Sequence, residues 1–408
     1  MTRVADVGKK LVVSSTFLFA LSIPTSLALD NLAAGIGLLG ILFLLIGREI
    51  SPFPPLKPLI FLLTPEIFEA IIFYPKKLFK TDLNLHIVPY YSVFRTLGQD
   101  PKFIKMILYV LIFSTALLDL SIIFEAFTWQ NVKHLDLSNL SFHLHPIRAK
   151  GFLNHPLTTA GVVFLLLVLF IAAYFQFRNN IFLFPVFLSV IALIFTESRS
   201  YWVGFFIFII FLLIFFRNRK TLILVFSFFL IGIALAQVPQ IKSRFESILN
   251  TKTNYSNIDR LALWKANFSA YVRDYSLRQK LLGAGYGANK LAWKEFKESF
   301  NSVSPVKNLT DVQLRRHFHG GLTHNIYLKY LTKYGILGFL GFLFFWISIL
   351  YCNFTYIGPF EVFIKTLTAG YLGFLAAGFF ENNFCDAEVQ FAVMFILGLN
   401  FALQQKET

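Results

Sequence analysis

Three residues of this 408-residue chain combine a reactive or strongly charged side chain with a setting that is costly for it. They are Arg199 in TESRSYW, Arg260 at the head of RLALWKANFSAYV, and His324 in GGLTHNIYLKYLTKYGILG. Arg199 stands between two apolar runs, where a guanidinium is expensive to keep and commonly serves a partner; snorkelling to lipid head groups is the plainer alternative. After Arg260, the residues Leu261, Trp264, Phe268 and Tyr271 recur at helical spacing. With Asp259 as a cap, this pattern predicts a helix on a membrane surface, aromatic face down. Such a helix holds Arg260 at head-group depth, where its planar fork suits bidentate phosphate binding; a solvated arginine on an ordinary interfacial helix is the competing reading. Around His324, Gly320 and Gly321 offer a flexible entry, Thr323 a cap, and a helix follows. A histidine in a first helical turn feels the positive end of the dipole, which disfavours imidazolium and leaves the ring able to accept a proton near neutral pH. A purely structural hydrogen bond is the alternative for a lone histidine.

Other motifs carry less. Gly283, Gly285 and Gly287 in LLGAGYGAN superficially fit a dinucleotide loop, but no strand precedes them; a tight turn that lets backbone approach a phosphate or another helix fits better. His143 and His145, like His317 and His319, have H-x-H spacing without an accompanying carboxylate or cysteine cluster, so no metal site is expected. Cys352 and Cys385 lack the spacing of a zinc site or a disulfide framework. Glu381 and Asp386 flank the last polar turn, and either can orient His324 or an acceptor hydroxyl, or simply be solvated.

The elements that must position these residues are membrane helices. Hydrophobic residues make up 56% of the chain and charged residues 14%, far from the balance of a soluble domain. The 51 phenylalanines read as lipid-facing and packing hydrophobes. The net charge of +15 lies in short basic clusters between apolar runs, as at Arg217, Arg219 and Lys220, a pattern of membrane orientation and of contact with anionic lipid or phosphate, not of nucleic-acid binding. Apolar runs cover residues 11–29, 32–46, 104–127, 157–175, 181–195, 201–216, 222–238, 334–352, 360–380 and 389–403. The first follows Lys9 and Lys10 like a signal peptide, but no small-residue cleavage site follows it, so it is read as a retained span. Residues 52–98 are interrupted by Pro54, Pro55, Pro58, Pro65 and Pro75 and by Lys76, Lys77 and Lys80. Two short or broken spans there bring the expectation to about twelve helices. The predicted class is therefore all-α, a polytopic transmembrane bundle.

Short basic loops place both termini in the cytoplasm, with Lys76, Lys77 and Lys80 fitting poorly. The long polar segments 128–155 and 239–323 then fall outside. The second carries fourteen Lys and Arg against six Asp and Glu, a hint of an anionic ligand. The expected organisation is an N-terminal bundle over residues 1–238, an external loop region over 239–323, and C-terminal membrane helices over 324–408.

The ordered set R-x-x-x-W at Arg260 and Trp264, LGAGYGAN, and THNIYLKYLTKYGILG resembles the signature region of the O-antigen ligase and polymerase superfamily. IRAKGFLNHPLTTAG resembles the family's entry to a middle span, TESRS its serine-arginine motif, and SIPTSLALDN the opening of the ligases. The likeness is loose over most of the chain and more specific from about residue 199 to residue 338. It implies a C-type glycosyltransferase architecture with a helical periplasmic loop region, in a multi-pass protein of the bacterial inner membrane. It further implies transfer of a glycan from undecaprenyl pyrophosphate to lipid A-core at the periplasmic face, inverting and without metal, ATP or other cofactor. Carried over by motif, Arg199 and Arg260 match the arginines assigned to the pyrophosphate, and His324 matches the essential histidine. The late acidic position falls on Glu381 or Asp386, and Arg148 joins these two as a candidate for orienting or binding the acceptor. Lys333 in LTKYG departs from the acidic residue many relatives carry there. A polymerase, joining repeat units on the same carrier, uses nearly the same residues. A transporter or flippase is the reading from another class; it predicts charged residues along mid-membrane helices, whereas Arg199, Arg260 and His324 gather at one surface.

Overall fold

A computed structural model describes residues 2–73, 85–100, 102–136, 140–145, 147–248, 250, 253–306, 309–321 and 323–405. Among these residues the chain is helical throughout and contains no strand. The first nine helices are α1 (Thr2–Ser22), α2 (Leu27–Ile46), α3 (Lys57–Phe73), α4 (Ile87–Gln99), α5 (Phe103–Thr128), α6 (Pro156–Phe177), α7 (Leu183–Phe195), α8 (Arg199–Phe215) and α9 (Arg219–Ala236). Five follow in the polar region: α10 (Pro239–Glu246), α11 (Tyr255–Arg273), α12 (Leu277–Leu282), α13 (Ala288–Val303) and α14 (Asp311–Phe318). The chain closes with α15 (Ile326–Thr355), α16 (Glu361–Ala377) and α17 (Ala387–Gln404).

Burial follows hydrophobic pattern. Helix α6 is apolar on every side, and 94% of its apolar window is buried, so it stands at the centre with α17 (89%), while α9 (17%) lies at the rim. Around this axis α6 meets α7, α8, α16 and α17; α17 also meets α4; and α1 packs on α2, α4 and α5. Helices α8 and α16 cross backbone to backbone: a Cβ on Gly204 would lie 2.7 Å from the Gly373 carbonyl, and one on Gly373 would lie 2.4 Å from the Gly204 carbonyl. Small residues at such a crossing let two helices approach closely in a medium where lipid offers no hydrophobic drive. The crossing fixes the start of α8 relative to the loop that follows α16, and both carry candidate site residues.

Among the described residues six helices are long and apolar enough to cross a membrane: α2, α5, α6, α9, α15 and α17. Helices α1, α3, α4, α7, α8 and α16 occupy the other positions expected from the sequence but are shorter or more polar. Two boundaries move. The first apolar run, expected over residues 11–29, is broken at Pro24, and α2 already begins at Leu27. Proline removes a backbone donor and clashes with the preceding turn, which ends α1. Asp30 consequently lies inside α2, buried, accepting a 2.6 Å hydrogen bond from Ser22. The run expected from residue 334 begins eight residues earlier, at Ile326, because α15 is two helical pieces joined at Gly335, whose φ of 70° only glycine adopts freely. The pair α3 and α4 fills the proline-rich stretch, with Pro65 inside α3; Pro75, Lys76, Lys77 and Lys80 lie outside the described residues.

The polar region has its own small core. Ile258, Ala262, Leu263 and Ala266 of α11 meet Ala292, Phe296 and Phe300 of α13 and Leu314 and Phe318 of α14. Helix α11 enters this core by its small-residue face. Its most buried face is the run Ile258, Ala262, Ala266, Ala270, where small side chains four residues apart admit α13, while Phe268 on the aromatic face is 57% exposed. The helix is capped by the Asn254 side chain, which accepts from the Asn257 N–H; Asp259, expected as the cap, sits one turn further in.

Candidate active site

Arg199 begins α8 two residues after Glu197, a residue held in the left-handed region at φ 51°. Its guanidinium is nearly buried, at 7% exposure, and donates to the Ser247 carbonyl (2.9 Å), the Ser247 hydroxyl (3.1 Å) and the Ser256 hydroxyl (3.2 Å). These serine partners, at the end of α10 and the start of α11, are all neutral, so the arginine keeps its charge for another group. Asn257 of α11 reinforces the junction by donating to the same Ser247 carbonyl at 2.8 Å. Arg199, Asn257 and Arg260 then line one cleft of about 130 Å³, walled on its apolar side by Leu261, Trp264 and Phe380.

From Arg260 a chain of charged groups leads to His324. The Arg260 guanidinium lies 3.6 Å from Oε2 of Glu381, and Oε1 of Glu381 lies 3.2 Å from Nδ1 of His324. Burial pushes the Glu381 carboxyl up, but the hydrogen bond and charge of His324, the charge of Arg260 and the Asn382 N–H together outweigh it and hold the group below its ordinary range. An ionised carboxylate only accepts, so Nδ1 of His324 is the donor, and the Nε2 lone pair is presented away from Glu381. The surrounding loop is pinned as well: Asn382 Oδ1 accepts from the Thr323 hydroxyl (2.8 Å) and the Asn325 N–H (3.1 Å), on either side of His324.

Two sequence expectations change here. His324 is not in the first turn of α15: the helix begins at Ile326, its cap is Asn325, whose side chain accepts from the Leu328 N–H, and His324 precedes them with φ 45°. Thr323 binds the Asn382 loop instead of capping. What orients the imidazole is the Glu381 carboxylate, not a helix dipole. Of the two late acidic candidates, Glu381 reaches His324, while Asp386 accepts from the Thr158 hydroxyl at 2.9 Å.

Burial pushes the Asp386 carboxyl from 3.8 up to about 6, with the Thr158 hydrogen bond opposing it. A carboxyl raised on folding contributes stability that is present below its unfolded value and is lost as pH rises through the folded one. Asp386 should therefore cost the folded protein about 3 kcal/mol between pH 4 and pH 7, from the two-unit shift. Thermal unfolding in detergent across that range should show Asp386→Asn losing less stability than the parent; equal slopes would refute this assignment.

The site gathers more charge than the sequence singled out. Arg148, from the loop before α6, is half-buried; burial first and then the charge of Arg244 lower its guanidinium to about 10, with Glu381 acting in the opposite direction. Arg244 of α10 pairs with Glu197 at 3.4 Å. His155, which caps α6 by accepting from the Leu157 N–H, is lowered by burial, then by Arg148, with Glu381 opposing. Four guanidiniums thus face two carboxylates, Glu197 and Glu381, leaving a net positive enclosure. Arg244, Glu197 and His155 were missed as site residues; Glu197 stood in the TESRS motif, but Arg244 was one of fourteen basic residues in its segment and carried no local signal.

The remaining motifs resolve structurally. Gly283, at φ 87°, approaches α15 so closely that a Cβ would lie 2.0 Å from the Lys333 carbonyl, so this glycine of the series serves a backbone crossing. His143 and His145 pack ring on ring at 3.8 Å. Asp259, distant in sequence, joins the other pair: His317 Nδ1 is 2.8 Å from Oδ1 and His319 Nε2 is 3.0 Å from Oδ2. Among the described residues no group of three His, Cys, Asp or Glu is placed to hold a metal.

Residues 184–343, from α7 into α15, match the family described as O-Antigen ligase. That match supports the O-antigen ligase superfamily. That superfamily takes in O-antigen ligases and related polymerases, a glycosyltransferase-like class acting in lipopolysaccharide biosynthesis. The matched stretch holds Arg199, Arg260 and His324, while Arg148 and Glu381 lie outside it. No curated protein matches the chain.

Proposed function

We propose that this superfamily member transfers an O-antigen glycan from undecaprenyl pyrophosphate to lipid A-core on the periplasmic side of the bacterial inner membrane. The observation that carries this reading is the convergence of Arg199 and Arg260 on one cleft, with Arg260 joined through Glu381 to His324. In this reading the diphosphate lies in the cleft, and the isoprenoid leaves over its apolar wall. The acceptor hydroxyl gives its proton to Nε2 of His324 as its oxygen attacks the anomeric carbon, from the face opposite the departing phosphate oxygen. The bond from the anomeric carbon to that oxygen breaks, and the carrier diphosphate leaves with its added charge on the guanidiniums. Diphosphate is already a good leaving group, so catalysis consists of neutralising charge and directing the nucleophile. Glu381 holds the productive tautomer of His324, and Arg148 lies on the acceptor side.

The accompanying architecture is a C-type glycosyltransferase of about twelve spans, in which the shorter helices cross as part of a packed bundle. Residues 1–238 and 324–408 form the membrane part, 239–323 the external part, and both termini are cytoplasmic.

Expression in ligase-deficient and polymerase-deficient Gram-negative hosts, followed by electrophoresis of their lipopolysaccharide, tests the reading. Restored O-antigen on core in the first host is the expected result. Restoration in the second host alone would make the protein a polymerase.

A further inference from the structure

His317, His319 and Asp259 have no part in the transfer chemistry, yet they form a hydrogen-bonded cluster beside it. Both oxygens of the buried Asp259 carboxylate accept from imidazoles, at 2.8 and 3.0 Å. These contacts hold the start of a short strap, described over residues 319–321 and 323–325, that leads from α14 to α15 and carries His324. The strap is conformationally demanding: His319 (φ 46°), Gly320 (φ 68°) and His324 (φ 45°) are all left-handed. For a non-glycine residue such a conformation costs about 1–3 kcal/mol and persists only where surroundings over-determine it. Those surroundings are visible at both ends. Asp259 grips His317 and His319, Asn289 donates to the Gly320 carbonyl at 2.7 Å, and the Asn382 loop grips Thr323 and Asn325.

The address of the first grip gives it meaning. Asp259 is the immediate neighbour of Arg260 on α11, so one turn of a rigid helix holds both the strap and the cleft arginine. The separation between Arg260 and His324 is therefore set twice, once through Glu381 and once through Asp259.

We propose that Asp259 is a positioning residue: by accepting from His317 and His319 it anchors the His324 strap to α11 and fixes the imidazole against the sugar of a donor held at Arg260. This rests on the reading of His324 as the base. The clasp acts by geometry, so it needs hydrogen-bond donors at the two ring positions, not groups that titrate. An asparagine amide can stand in for Nδ1 of His317, and a glutamine amide for Nε2 of His319.

The test uses the full-length protein in proteoliposomes with a lipid-linked glycan donor and lipid A-core acceptor. His317→Ala with His319→Ala is expected to lower kcat about 100-fold, the scale of a small misplacement of a reacting group, with donor KM unchanged. Asp259→Ala should give the same loss and add nothing to the double alanine variant, because the three act as one unit. His317→Asn with His319→Gln should restore most of kcat with an unaltered pH profile. If the amide variant is as poor as the alanine variant, the histidines move protons and the positioning role is wrong; if the alanine variant retains wild-type kcat, the clasp is irrelevant. Should the alanine variant fail to fold, the amide variant decides whether the histidines move protons, and the single variant His319→Ala, which keeps the His317 contact, would show the clasp irrelevant by retaining wild-type kcat. His324→Ala in the same assay separates the two claims: full activity there overturns the base, whereas loss there beside an indifferent clasp overturns only the positioning role.

Discussion

Replacing His324 with alanine should abolish measurable transfer, with a loss of roughly 100-fold to 10,000-fold, the range of a positioned general base. The imidazole lies 3.2 Å from Glu381, which fixes Nδ1 as the donor and leaves Nε2 as the one ring nitrogen able to take a proton from an acceptor hydroxyl. Its removal deprives Glu381 of the leading contribution that lowers it against burial, so the carboxyl should move upward. The protein itself should remain folded: His324 lies in the strap before α15, and Asn325 still caps that helix. Transfer measured in proteoliposomes, beside a thermal melt of the same preparation, checks both halves. A folded variant with wild-type turnover would remove His324 from the mechanism.

Arg260→Ala should lower kcat/KM for the lipid donor about 100-fold to 1,000-fold, the usual effect of deleting one preorganised group that meets developing charge. Acceptor KM should change little, since the cleft lined by Arg199 and Arg260 has an apolar wall suited to the lipid carrier. Stability should fall too, because Glu381 is nearly buried and loses its cationic neighbour; breaking a buried pair costs on the order of 3–5 kcal/mol, and the 3.6 Å separation puts this one toward the low end. Arg260→Lys should recover stability better than activity, because a point charge replaces a fork that grips two phosphate oxygens. Arg199→Ala provides the contrast. Its serine partners are neutral, so its removal strands no carboxylate, and a similar catalytic loss should come with a smaller loss of stability. Initial rates with donor and acceptor varied in turn discriminate: equal losses against both substrates would contradict a donor-specific cleft.

The sequence by itself determined the class and the chemistry at stake. Apolar runs far longer than a soluble core needs, with basic clusters between them, leave only helices buried in lipid, because no other open structure satisfies its backbone there. It also marked Arg199, Arg260 and His324, since a cation beside hydrocarbon and a lone imidazole at a helix entrance stand out against an apolar background. Local pattern reached as far as about one turn of helix and misjudged what lay at that limit. Asp259 was read as a cap although Asn254, five residues earlier, does that work, and His324 was placed inside a helix that begins two residues later. The reading of α11 stopped at its aromatic stripe and did not register the four-residue spacing of small side chains that packs against α13.

Only the tertiary structure chose between Glu381 and Asp386, brought Arg148 and Arg244 toward the cleft, and gave the His317 and His319 pair its carboxylate. Each of these depends on which helices cross and how closely, as at Gly204 and Gly373 or Gly283 and Lys333, where backbones meet because no side chain intervenes. A charged residue states its own cost in the sequence, but its partner is set by the crossing of elements tens or hundreds of residues apart, and no local spacing encodes that distance.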